Sequence, residues 1–319
     1  MTHDPKASAI LSDLDAGTRS GMYGTSIGES ASRKLLASAL LETAALLQYA
    51  AHLESQVLTL PGSGVETDAA SLPGAITPER RLRTALTAAV PATMALLAVV
   101  TYLEAMATSL LAAEGVLPTE ALARAVIEAC AICHWLLDDR INGEQRLARY
   151  ILLRHSSATE DEKAHREIEL TIPEKQSVAY VIAIASDYGI PVQLVGKKQN
   201  IVEVAGERLP GPTLRAKSLL AAIEAKGAYN IYSGTAHREI YCLFRMFTSP
   251  TSVGGESFQA VQFDTRAAAN AVFVSVRAAV HAGALVRAHR GEDLANWEAD
   301  ALNILGPLFA VLTASEHSR

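Results

Sequence analysis

Residues 86–113 read "LTAAVPATMALLAVVTYLEAMATSLLAA", and how this stretch is placed decides the fold. About 18 uncharged residues run from Leu86 to the first acid, Glu104, which just reaches the length needed to cross a bilayer. The stretch also holds four threonines, Ser109 and Pro91, and its only basic flank is Arg80, Arg81 and Arg83, with no tryptophan beside it. This makeup fits the central, fully buried helix of a bundle better than a membrane span. No membrane insertion is expected.

The rest of the chain agrees with a helical reading. Of its 319 residues 50% are hydrophobic but only 5% aromatic, and there are just 12 prolines, an Ala/Leu-rich balance that favours helices over sheets. Before the central stretch, residues 30–60 carry apolar side chains at helical spacing and stop at Pro61-Gly62. Residues 61–79 read as a loop by their Pro and Gly content. After it, Pro118 and Thr119 open "LPTEALARAVIEACAICHWLLDD", and Asn142-Gly143 separates this helix from a longer, charged one. A further helix closes at Gly189 and Pro191. Residues 191–212 alternate like a short hairpin, helices resume from Thr213, residues 249–257 read as a loop, and two more helices finish the chain. The expected fold is all-α: a multi-helix bundle with a small β-hairpin insertion around residues 191–212. Residues 1–29 read as a flexible lead and 30–319 as a single helical domain.

Three cysteines, an odd number, argue against a disulfide framework, and "MTHDPKASAILSDLDAGTRS" has no export signal, so a cytoplasmic setting is the default expectation. Cys130, Cys133 and His134 match the C-x-x-C-H haem-attachment spacing, yet no second axial ligand offers itself. The same three residues fall at i, i+3 and i+4, so with His237 and Cys242 they could complete a tetrahedral zinc site. The alternative is that both cysteines are small core residues, and no cofactor is expected.

Two helices hold the informative polar residues. Arg124 and Glu128 form an i, i+4 pair in an apolar helix, a placement that needs partners for both charges. In "AYNIYSGTAHREIY", Tyr229, Ser233 and His237 recur every four residues and form one polar stripe. These five are expected to meet in one buried cluster, because buried polar groups seek one another. Asp138 and Asp139 in "DDRINGE" could instead hold magnesium against a substrate diphosphate, as in class I terpene synthases, or merely cap the turn before Asn142-Gly143. His281 and His289 lie among Arg277, Arg287 and Arg290 in a basic stripe that could meet phosphates, though such stripes are more often solvated faces.

The order Arg-x-x-x-Glu, "WLLD", an Arg-rich helix and Tyr-x-x-x-Ser-x-x-x-His resembles a group of bacterial helical proteins similar to the HEPN superfamily, over roughly residues 120–245. The resemblance implies a metal-independent ribonuclease of toxin or defence type, acting on RNA as a homo-oligomer. It also implies an Arg-x(4-6)-His motif, matched by Arg149 and His155 in "RYILLRH", with the imidazole as acid/base and the guanidinium on the phosphate. Under this reading Arg149, His155, His237, Ser233 and Tyr229 are the catalytic candidates. The alternatives are the magnesium-dependent enzyme acting on a prenyl diphosphate and a non-catalytic bundle that binds a protein partner.

Overall fold

The computed structural model describes residues 27–52, 60–112, 116–195, 200–236, 251–253, 256–258 and 265–314. Ten helices lie among them. They are α1 (Ile27–His52), α2 (Gly64–Ser71), α3 (Pro78–Leu111), α4 (Val116–Leu136), α5 (Gly143–Glu167), α6 (Val178–Asp187), α7 (Pro212–Ala222), α8 (Ala228–Ala236), α9 (Thr265–His289) and α10 (Ala295–Ala314). Strands β1 (Val192–Val195) and β2 (Asn200–Val204) form an antiparallel hairpin that pairs Val192 with Val204 and Val195 with Asn200. The fold is therefore an all-α bundle carrying a small hairpin where the alternation placed one. A second, three-residue hairpin, β3 (Thr251–Val253) with β4 (Glu256–Phe258), falls where the sequence suggested only a loop.

Local signals explain several helix ends. Asn142 and Gln145 cap α5 reciprocally, each side chain accepting the other's backbone N–H, which satisfies two orphan donors. Gly189 closes α6 at φ +64, a left-handed position that lets the Ile190 N–H reach the Ala185 carbonyl. The loop expected over residues 61–79 contains α2, because Ser63 accepts from the Glu66 N–H and the Glu66 carboxylate accepts from the Gly62 N–H.

Helix α3 is the spine. It packs against α1 and α4 along its length and touches α2, α5 and α9. Its Leu96, Val99, Leu103 and Met106 meet Leu36, Leu40 and Leu47 of α1, Ile127 of α4 and Val272 and Val276 of α9 in the main core. Truncating one such leucine to alanine costs about 2–5 kcal/mol, because the close-packed surroundings relax only partly. Its first turns, through Ala85 and Ala88, belong to a second core with Val65, Ile76, Leu147, Ile151, Val181 and Val204.

The expectation of a fully buried α3 is corrected. Leu82, Leu86, Val90, Met94 and Leu97 lie exposed along one side. Apolar composition on both faces erased the periodicity that would have revealed an outward face. Both α3 and α9 are long and apolar enough to cross a membrane, and 44% and 56% of their most apolar stretches are buried in the bundle.

Candidate functional site

Helix α4 carries Arg124 and Glu128 one turn apart, so their side chains meet on one face. The Arg124 Nε donates to Glu128 Oε1 at 2.8 Å, and the Tyr229 hydroxyl of α8 donates to the same oxygen at 2.7 Å. The Arg124 guanidinium also lies over the Tyr229 ring, 5.7 Å from its centre. Arg215 of α7 lies within electrostatic reach of Glu128 and Tyr229, its guanidinium 6.0 Å from the centre of the Trp135 ring. The site is a notch rather than a sealed pocket: the Arg124 and Glu128 side chains keep 22% and 33% of their exposure.

Electrostatics in the notch follow from this packing. Burial pushes the Tyr229 phenol up from its ordinary value, and its bond to the Glu128 carboxylate adds to the shift. Burial pushes the Arg215 guanidinium down, only partly offset by Glu128 and Tyr229. Its Nε is buried without a hydrogen-bond partner among the described residues, while Nη1 donates to the Pro210 carbonyl at 2.8 Å.

Three of the five residues expected to cluster are thus joined: Arg124, Glu128 and Tyr229. They form a half-open group rather than a buried one. Ser233 lies half-buried one turn further along α8, and His237, like Cys242, lies outside the described residues.

Arg149 and His155 are placed elsewhere. Both are buried on α5, and both hold the hairpin. Arg149 Nε donates to Glu207 Oε2 at 2.8 Å, its Nη1 bonds the Trp135 carbonyl, and its guanidinium covers the Trp135 ring. His155 Nε2 accepts the Ile201 N–H at 3.3 Å, and burial pushes its imidazole below the ordinary value.

Asp138 is engaged by a neighbour. Arg140 Nε and Nη2 donate to its two oxygens, each at 2.8 Å, and this bond holds the carboxyl down at about 2. Asp139 is exposed, and Asn142 is spent on the α5 cap. Cys130 and Cys133 sit inside the main core, where burial pushes the Cys133 thiol up to about 12, and Cys133 Sγ donates to the Ala92 carbonyl. Among the described residues no three His, Cys, Asp or Glu side chains meet as a metal site.

The late basic stripe is not a solvated face. Arg287 pairs with Glu292 at 2.8 Å over the Trp297 ring, and Arg290 donates to the Ala50 carbonyl and to Thr93. His281 approaches His134 at 3.2 Å, and the other nitrogen of His134 lies 3.2 Å from Ser218 Oγ. His289 lies 3.4 Å from Asp68, which pairs with Arg146 at 2.6 Å in a buried group joining α2, α5 and α9. Sequence reading missed Asp68, Arg146 and Arg215. A lone Arg in the mixed helix "TLRAKSLL" gives no signal, whereas the Arg-x-x-Arg spacing of Arg146 and Arg149 on one helix face was available.

No protein-family model, curated protein or solved structure matches this chain.

Proposed function

We propose that the chain is a HEPN-like, metal-independent ribonuclease whose working groups are Glu128, Arg124, Arg215 and Tyr229, with Arg149 and His155 serving the scaffold. One observation carries this reading: the Arg124 guanidinium and the Tyr229 phenol converge on a part-exposed carboxylate, with Arg215 within electrostatic reach of it. Cleavage through the 2'-hydroxyl needs a base, a cation for the charge growing on phosphorus and an acid for the leaving 5'-oxygen. Glu128 takes the 2'-proton as the O2'–P bond forms, and Arg124 and Arg215 hold the phosphate as the P–O5' bond breaks. His237, eight residues after Tyr229, is the acid this reading assigns to the leaving oxygen.

The test is incubation with structured RNA in EDTA, with prenyl diphosphates plus magnesium in parallel. Metal-free cleavage by the wild type is expected, falling about 100-fold or more in Glu128→Gln. His155→Ala should lower the melting temperature while the folded fraction stays active. Cleavage that survives Glu128→Gln but is lost in folded His155→Ala would return the chemistry to the Arg149/His155 motif. Hydrocarbon products lost in Asp138→Ala would favour the prenyl diphosphate alternative. Silence in both assays would favour the non-catalytic, partner-binding bundle, a reading favoured by the exposed apolar side of α3.

A further inference from the structure

The outward side of α3 carries Leu82, Leu86, Val90, Met94 and Leu97, followed by Thr101, all exposed, with Met94 at 64%. Their spacing of three and four residues keeps them on one stripe. At 1.5 Å per residue the stripe from Arg83 to Glu104 is about 32 Å long and holds no charge between those two ends. A continuous apolar face of this length on a protein surface marks an interaction site.

Its two ends differ in sign. Arg83 is exposed at the N-terminal end, and Glu104, touched only at 3.3 Å by Gln48 among the described residues, is exposed at the C-terminal end. We propose that the stripe docks on the same stripe of a second copy, the two α3 helices running antiparallel about a two-fold axis between Thr93 and Met94. In that register Arg83 faces Glu104 of the second copy, Leu86 faces Thr101, and Val90 faces Leu97. An isologous contact of this kind repeats each pairing twice, so the two charge pairs close both ends of the apolar strip. A parallel pairing would set Arg83 against Arg83 and Glu104 against Glu104. The proposal does not depend on the ribonuclease reading.

Light scattering and sedimentation equilibrium of the full chain at micromolar concentration test it. Twice the 33.9 kDa chain mass is expected for the wild type, and the monomer for Met94→Glu. Arg83→Glu should weaken the dimer at least tenfold, and adding Glu104→Arg to it should restore the wild-type mass. Circular dichroism checks that the variants fold, and if Met94→Glu does not, the charge swap alone decides. A wild type that stays monomeric, or a dimer indifferent to Met94→Glu and the charge swap, overturns the proposal. A monomer that floats with phosphatidylcholine vesicles would assign the stripe to a lipid surface instead.

Discussion

Mild acid should unfold this protein in part through one histidine. His289 is packed between Gly64 and the Asp68–Arg146 pair, and burial, with repulsion from Arg146 and Arg290, pushes its imidazole from 6.5 down to about 3. The native state therefore keeps His289 neutral, while the unfolded chain takes up the proton once the pH drops below the ordinary value. Stability from this group is complete above 6.5 and is lost as the pH falls towards about 3. At about pH 4.5, two units below the unfolded value, the loss is about 2–3 kcal/mol. Urea unfolding of the wild type and His289→Gln at pH 7 and 4.5 measures it. The variant should lose less stability on acidification by that amount, the carboxylates remote from residue 289 cancelling in the difference. Parallel pH dependences would refute the burial argument for His289.

Other expectations follow from the same packing. Arg146→Met should cost about 3–5 kcal/mol, because it leaves the Asp68 carboxylate buried without its cation, and chemical denaturation reads this directly. Arg149→Met should cost about 2–4 kcal/mol by removing the cation beside Glu207, which keeps only Gln145, and by stranding the Trp135 carbonyl, with hydrogen exchange rising in β1 and β2. Iodoacetamide at pH 8 should leave Cys130 and Cys133 unmodified in the native protein and label both in urea, as read from the peptide mass, because both thiols are buried and raised. Gly283→Ala should lower stability by about 1–3 kcal/mol, since the added methyl would meet the Trp297 ring where α9 packs on α10.

How far the sequence carries depends on whether a signal is local. The α5 cap at Asn142, the closure of α6 at Gly189 and the hairpin near residue 191 rest on a few adjacent residues, and each stands where local chemistry puts it. Helix α2 had such a signal in Ser63-x-x-Glu66, but the surrounding Pro and Gly obscured it. Arg124, Glu128 and Tyr229 were legible because four-residue spacing in apolar helices makes a stripe. Asp68, Arg146 and His289 come from three distant segments, and only the assembled fold brings them together. For Arg149 and His155 the sequence shows the side chains but not their partners: the Ile201 N–H belongs to the hairpin and Glu207 to the turn that follows it, and a one-dimensional motif cannot register that they are already engaged.

Arg290 illustrates what such distant partners mean for assembly. Its Nη1 donates to the Ala50 carbonyl in the last turn of α1, a bond that closes over 240 positions of sequence. The end of this helix thus takes a donor from the far side of the chain, which also reaches Thr93 in the middle of α3. During synthesis α1 and the spine therefore wait, with the apolar face that α9 covers open to water, until α9 has emerged. Such long-range closure slows folding and prolongs the exposure of sticky intermediates. Refolding of this bundle should then be limited by the docking of α9, more slowly than its helical content alone would suggest.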